Sequence, residues 1–307
     1  MHPAPQIQVE VHFKPTAAGG RATPVFLTSG SYRPHLVVEP GQMLGVAFVQ
    51  AEVPVVRPGE TAVATVALMY EGVDYSALVP GAVFDLVEGS MPVAKGRVLP
   101  PDLPTARFYQ NYAGQDAIQA EAPQSAISRY FDLAFKAGDK VLDIGSGSGR
   151  DLAVLIGMGV DAYGIEPNDG MRAFALKKHP QLGARVQSGS LPLTGMPFGG
   201  HFDGVVCSAV LMHVPEEQFL SAWVSIRRVL KPYGRVLFSV PSMRPDLLKD
   251  ERDGDGRYFK NHSPDLVGRV LASLGFSRLE LGAEAIAAYP DVTWSIYLFR
   301  ASPAKSS

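Results

Sequence analysis

The segment Val141-Leu142-Asp143-Ile144-Gly145-Ser146-Gly147-Ser148-Gly149-Arg150-Asp151 joins an apolar run, a carboxylate and three glycines at alternate positions. The run reads as a buried strand and the residues from about Leu152 as a helix. The glycines then form the turn between them, where positive φ and a bare backbone let the chain press against a ligand. Such a turn does not name its ligand, since dinucleotide sites use one too. Asp143 narrows the choice. It stands two residues before the first glycine, near where a pyrophosphate would rest. Two like charges about 4 Å apart repel by roughly 4 kcal/mol at an effective dielectric of about 20, so a diphosphate is disfavoured and a cationic ligand is attracted. A second acid, Glu166, ends the run Ala162-Tyr163-Gly164-Ile165-Glu166-Pro167-Asn168, 23 positions after Asp143. A carboxylate there can accept from two neighbouring hydroxyls at once.

S-adenosylmethionine has both features: an ammonium and a sulfonium for Asp143, and a ribose diol for Glu166. Over residues 105–302 the chain resembles the class I S-adenosylmethionine-dependent methyltransferases. The resemblance implies an α/β fold, a Rossmann-like seven-stranded sheet closed by an antiparallel pair. It also implies cofactor contacts at Asp143, Gly145, Ser146, Gly147, Gly149, Glu166, Pro167, Ser190, Leu191 and Ser208. Arg185-Val186-Gln187-Ser188-Gly189-Ser190-Leu191-Pro192 resembles the third strand and adenine-side turn, with Ser190 where the family often has an acid. Phe202–Ser208 resembles the fourth strand. Val214-Pro215-Glu216-Glu217 opens a helix whose early acids suit its positive end, and the helix runs to Val229-Leu230-Lys231-Pro232-Tyr233-Gly234. Arg235–Val240 resembles the fifth strand, and Arg278–Gly282 with Thr293–Arg300 the closing pair.

Methyl transfer from a sulfonium is a displacement that needs alignment and exclusion of water, and an acid–base residue is optional. His213 follows the fourth strand and, on the family's geometry, faces the cofactor mouth, as a general base or as a hydrogen-bonded loop histidine. Phe108-Tyr109-Gln110-Asn111-Tyr112 precedes the fold's first helix, so Tyr109 or Tyr112 either lines the site or anchors the chain. Asp246 to Tyr258 is charge-dense, with Lys249 and Asp250 through Arg257, and reads as a solvated loop or as a substrate-facing element through Arg257 and Tyr258. Cys207 ends an apolar strand and reads as a small buried hydrophobe. The Pro-Cys of pyrimidine-carbon methyltransferases and the Asn/Asp-Pro-Pro-aromatic signature of nucleobase-amine methyltransferases are both absent.

The elements that must position these residues begin near residue 105. Before them, Ile7–Phe13, Val25–Thr28, His35–Val38, Met43–Val49, Ala62–Met69 and Val83–Val87 are short apolar runs between Gly and Pro, the pattern of a small antiparallel barrel over residues 1–99. Pro100, Pro101 and Pro104 then stiffen a linker over residues 100–104. From Ala117, Ala126-Ile127, Tyr130-Phe131 and Leu133-Ala134-Phe135 recur at helical spacing, and strand–helix alternation follows to residue 307.

The phrases Gly19-Gly20-Arg21-Ala22-Thr23-Pro24-Val25-Phe26, Ser31-Tyr32-Arg33-Pro34-His35, Pro58-Gly59-Glu60 and Phe84-Asp85-Leu86-Val87-Glu88-Gly89 resemble the third, C-terminal barrel domain of elongation factor Tu. In that family the domain packs on the GTPase domain and touches aminoacyl-tRNA. The barrel therefore reads as a scaffold or as a docking module for RNA or a translation component. Ser90-Met91-Pro92 replaces the family's glycine-plus-arginine stretch, and no G-x-x-x-x-G-K-[ST] cradle is present, so GTP is excluded.

The 307 residues carry 28 Lys and Arg against 30 Asp and Glu, and residues 1–100 hold six bases against eight acids. That balance disfavours a polyanion partner. One cysteine supplies neither a disulfide nor a zinc site, so no metal is expected and a reducing compartment is. Without an 18-residue apolar run or a leader pattern, the protein is expected to be soluble and cytoplasmic. The alternative to an enzyme is a non-catalytic cofactor-sensing or translation-linked binding module.

Overall fold

In the N-terminal third, Val9, Val11 and Phe13 are buried at every second position while His12 is exposed, the period of a strand with one face inward. The structure is a computed structural model that describes residues 4–38, 41–70, 72–122, 125–243, 247, 250–279, 281, 286–289 and 292–303. The chain divides into two compact units, Met1–Pro101 and Asp102–Ser307.

The first unit has strands β1 (Gln6–Phe13), β2 (Val25–Phe26), β3 (His35–Val38), β4 (Gln42–Ala51), β5 (Val55–Val56), β6 (Thr61–Leu68), β7 (Val83–Glu88) and β8 (Met91–Leu99). Six close an antiparallel barrel in the order β1-β6-β4-β3-β7-β8, with β8 returning to β1. Two expectations change. The run beginning at Val25 is not a barrel strand but pairs with β5 in a separate ribbon. The sixth barrel strand is β8, whose Pro92, Lys95, Gly96 and Arg97 mask its strand character. Lys95 and Arg97 turn outward to Asp85 and Glu10, and a Cβ on Gly96 would stand 2.5 Å from the Glu10 carbonyl oxygen.

Helix α1 (Leu103–Tyr112) begins soon after β8. Asp102 caps it by accepting from the Thr105 N–H at 2.8 Å, and Pro104 sits in the first turn, where no helical hydrogen bond is lost. The extended stretch therefore ends at Asp102, short of the expected 104, and Phe108–Tyr112 lies inside a helix rather than before one. The helix expected around Ala126–Phe135 is broken into a 3-10 turn at Ser128–Tyr130 and a short helix. There Ser128 spends its hydroxyl on the Ser125 carbonyl, a local bond that competes with helix.

The second unit continues with α2 (Asp116–Gln119), α3 (Phe131–Ala134), β9 (Lys140–Ile144), α4 (Arg150–Gly157), β10 (Asp161–Ile165), α5 (Asp169–Lys178), β11 (Val186–Gln187), β12 (Phe202–Ser208), α6 (Glu216–Val229), β13 (Leu230–Met243), α7 (Pro264–Ser273), β14 (Phe276–Leu279), β15 (Ile286–Tyr289) and β16 (Val292–Ala301). Among the described residues its sheet runs β11-β10-β9-β12-β13-β16-β14, the expected seven strands, with β15 paired to β16 off that path. Strands β9 to β13 pair in parallel and β16 runs against β13. Of the expected closing strand Arg278–Gly282, residues 280 and 282 lie outside the described residues. Among the described residues, no helix is long and apolar enough to cross a membrane.

The order reverses at β9: the chain goes outward through β10 and β11, then returns to β12 on the other side. The crevice beyond the carboxyl ends of β9 and β12 is where such sheets hold ligands. Beneath it, Trp223 packs against Phe238 and Phe276, burying the helix layer on the sheet.

Candidate active site

The turn leaving β9 holds Gly145, Gly147 and Gly149 at φ +69°, +53° and +77°. Glycine is needed twice over, since a Cβ on Gly145 would stand 2.4 Å from Val210 Cγ2 and one on Gly149 2.6 Å from Leu182 Cδ1. The Gly145 and Ser146 N–H groups both donate to the Ile165 carbonyl, at 2.8 and 3.0 Å, which ties the turn to β10.

Glu166 leaves β10 beside this turn. Its Oε2 accepts from the Gly147 N–H at 3.0 Å and its Oε1 from the Asn168 N–H at 2.9 Å. Each oxygen keeps a further lone pair for a ligand hydroxyl. Asn168 in turn caps α5 through the Met171 N–H at 3.0 Å. Burial pushes the Glu166 carboxyl up, against those two N–H groups and Arg172, which favour its charge. Asp143 is pushed well above the ordinary range, first by burial and then by the charges of Asp151 and Glu166, with Arg150 opposing.

Three buried acids therefore surround a bare backbone turn. Among the described residues, the buried Ser146 Oγ and Asp151 Oδ1 have no hydrogen-bond partner. This donor set fits a ligand bringing positive charge and hydroxyls, and repels a diphosphate. Pro167, Ser190 and Ser208 are half-buried at the ends of the strands around the turn, whereas the Leu191 side chain packs into the core below.

Helix α1 lies against this site. The Ala106 carbonyl accepts from Asn168 Nδ2 at 3.0 Å and Gln110 Oε1 from the Gly170 N–H at 3.3 Å. Its other side meets the 250–260 loop: Arg252 makes two bonds to the Asp102 carboxylate, at 3.1 and 2.8 Å, and the Tyr258 N–H donates to Thr105 Oγ1 at 2.9 Å. The described part of the charge-dense loop is thus fastened rather than freely solvated; Asp246 and Lys249 lie outside the described residues. Asp253, buried, accepts from the backbone and the guanidinium of Arg257.

The structure brings Tyr109, His213, Arg257 and Tyr258 together. His213 Nδ1 lies 2.6 Å from the Tyr258 carbonyl and Nε2 3.0 Å from the Tyr109 hydroxyl. Burial lowers the His213 imidazole to about 4, so it is neutral at physiological pH. Burial raises the Tyr109 phenol, Arg257 pulls it back and the Glu166 charge adds to the rise. Tyr258 is pushed up to about 12 by burial and by Glu251. Arg257 lies over the Phe108 ring at 4.2 Å and the Phe259 ring at 5.1 Å. Tyr112 does not join this group; it stacks on Phe108 and its hydroxyl lies 3.5 Å from Glu121. Cys207 is fully buried in the sheet, and burial pushes its thiol up, so no thiolate is presented.

Sequence reasoning missed Asp102, Phe108, Glu121, Asp253 and Phe259. Asp102 had a signal, since an acid before Leu-Pro-Thr is a helix cap pattern. Glu121, which accepts from Ser148 Oγ at 2.7 Å, had none.

A family model described as "Methyltransferase domain" matches residues 142–238. The protein-L-isoaspartate O-methyltransferase of Pelotomaculum thermopropionicum is 30% identical over 187 residues, which is 57% of this chain and 74% of that protein. The chain belongs to the class I S-adenosylmethionine-dependent methyltransferases. The cofactor is S-adenosylmethionine, and the acids and glycines of the turn fit it. The protein of the same description from Methylorubrum extorquens is 32% identical over 139 residues, 41% of this chain and 53% of that protein. The chain spans between 53% and 65% of the length of the first three curated relatives it matches. The crystal structure of the cyclase SpnF shares the fold, with a TM-score of 0.51, 16% identity and coverage of 67% of this chain and 99% of that one.

Proposed function

We propose that the protein transfers a methyl group from S-adenosylmethionine to an acceptor held between α1 and the 250–260 loop. The observation that carries this reading is Glu166. Its carboxylate is aimed by the Gly147 and Asn168 N–H groups beside a turn that only glycine can form, and α1 lies across the same residues. When bound, the cofactor supplies an electrophilic methyl on a sulfonium.

Asp143 attracts the cofactor's positive charges, Glu166 accepts from the ribose hydroxyls, and Ser190 and Leu191 border the adenine. Gly145, Ser146, Gly147 and Gly149 give the backbone its close approach, with Pro167 and Ser208 at the rim. Tyr109, His213, Arg257 and Tyr258 face the acceptor, and α1 with the fastened loop excludes water.

A small acceptor is favoured over a macromolecule, because aromatic rings and the clasped loop crowd the acceptor side. The barrel, which resembles the third domain of elongation factor Tu, acts on this reading as a scaffold. Its excess of acids argues against an RNA-docking role. Methyl-labelled cofactor incubated with the protein and a cell extract should give a labelled product of low mass. A labelled protein or RNA would return the acceptor role to the barrel, and binding of cofactor without any labelled product would refute the enzyme.

A further inference from the structure

Building on the methyl-transfer reading, we propose that Tyr109 and His213 form a proton relay serving an acceptor hydroxyl on an sp2 carbon, a phenol or an enol.

The relay follows from which atoms can donate. The Tyr258 carbonyl only accepts, so at 2.6 Å the proton of His213 is on Nδ1 and the lone pair is on Nε2. The Tyr109 hydroxyl, 3.0 Å from Nε2, is then the donor. Arg257 donates to its oxygen, which keeps a second lone pair to receive a proton from an acceptor. Tyr109 and His213 both stay half-buried, so each keeps surface open to an incoming molecule. Tyr109 also stands between the two halves of the site. Ala106, one turn before it, and Gln110, next to it, hold the residues that follow Glu166, and the Glu166 charge is felt at the phenol. The charged groups acting on the pair are Arg257, Asp102, Asp253 and Glu166.

The acceptor class follows from matching. A carboxylate is already ionised and needs no base. An aliphatic alcohol is far less acidic than a tyrosine, so the relay could not draw its proton, whereas an sp2 hydroxyl is close to Tyr109 in acidity. An ammonium would be repelled by Arg257, which instead favours an oxygen gaining negative charge. The rings of Phe108 and Tyr258 suit a flat partner. In the step, the acceptor proton passes to the Tyr109 oxygen while the Tyr109 proton passes to His213 Nε2, giving an imidazolium. The acceptor oxygen pair forms the bond to the methyl carbon, and the pair of the broken carbon–sulfur bond stays on sulfur, leaving a neutral thioether.

The test reads the linkage of the transferred methyl, whichever molecule in the extract accepts it. Protein, methyl-labelled S-adenosylmethionine and the small-molecule filtrate of a cell extract are incubated, and the product is treated with mild base and then with hydriodic acid. Label that survives base and leaves as methyl iodide marks a methyl ether; it supports the proposal where the hydroxyl uncovered by hydriodic acid ionises in alkali as a phenol or enol, and an uncovered aliphatic alcohol overturns it. Label released by base as methanol marks a carboxyl ester and overturns it, as does label retained through both treatments on nitrogen or carbon.

Tyr109→Phe and His213→Asn, the latter keeping a donor for the Tyr258 carbonyl, should each slow transfer by about 10²–10⁴-fold. Their S-adenosylhomocysteine affinity by calorimetry should be unchanged. Wild-type rate should be flat with pH above the His213 transition, whereas the variants' rate should climb with pH as the acceptor ionises unaided. Losses below about tenfold, or variant profiles as flat as wild type, overturn the relay. Failure of S-adenosylhomocysteine to bind wild type would instead refute the cofactor site. Binding without label transfer would refute the enzyme and the relay with it.

Discussion

Glu166→Ala removes the group that organises the cofactor side, and its effect separates into two measurable parts. The Glu166 oxygens each accept one backbone N–H, at 3.0 and 2.9 Å, and each has one direction left for a ribose hydroxyl. Bonds to a charged group contribute about 1.5–3 kcal/mol apiece. Burial pushes this carboxyl up, which shows that its charge is costly to hold there and offsets part of that gain. A net loss of about 2 kcal/mol, or about thirtyfold in Kd, is expected for S-adenosylhomocysteine.

The ligand-free protein should also lose stability, because the Gly147 and Asn168 N–H groups are left without acceptors at about 1–3 kcal/mol each, less the relief of removing a buried charge. Titration calorimetry reads the first part and thermal unfolding by circular dichroism the second. Glu166→Gln should fall between, since its amide nitrogen must face one of the two N–H donors. A folded Glu166→Ala with unchanged Kd would refute the ribose assignment, whatever its melting temperature.

Burial, then the charges of Asp151 and Glu166, push the Asp143 carboxyl up, and a cationic cofactor favours its ionised form. Affinity for S-adenosylmethionine should therefore rise with pH through that raised transition, and Asp143→Asn should flatten the profile in calorimetry at several pH values. His213 and His262 both titrate near about 4 in the fold. Free histidine titrates near about 6.5, so the unfolded chain binds more protons between the two values and stability is lost as pH falls through that window; His213→Asn should shrink the loss seen by chemical denaturation. Cys207→Ser should leave turnover within a few-fold while costing roughly 1–2 kcal/mol for a buried hydroxyl, and abolished turnover with normal cofactor affinity would revive a covalent mechanism. A chain beginning at Asp102, which keeps the α1 cap and the Arg252 pair, should fold and bind S-adenosylhomocysteine as the whole protein does; a soluble product unable to bind would show that the barrel completes the site.

The cofactor half of the site was legible because its signals are local. Three glycines at alternate positions need no distant partner to announce a positive-φ turn, and Asp143 and Glu166 mark the ends of apolar runs that can only be buried strands. The acceptor half was visible as residue types but not as an arrangement. Tyr109 and His213 are 104 positions apart, and Asp102 and Arg252 are 150 apart. Nothing in the local pattern of either partner says that they meet. Tyr112 shows the same limit from the other side: three residues from Tyr109 on one helix, it turns to Glu121 instead of the acceptor.

Sequence alone therefore determined the elements whose cause is short-range: the barrel strands with clean alternation, the glycine turn, the helix opened by Glu216 and Glu217, and the burial of Cys207 at an apolar strand end. Tertiary structure decided which strand closes the barrel, because Gly96 and the outward Lys95 and Arg97 make sense only against Glu10, Phe84 and Asp85 across the sheet. It decided that the charge-dense loop is fastened to α1. It also decided that His213 is a neutral imidazole with its lone pair toward Tyr109. The reason is the same in each case: a side chain's protonation, direction and partner are set by desolvation and by groups that only folding brings within reach.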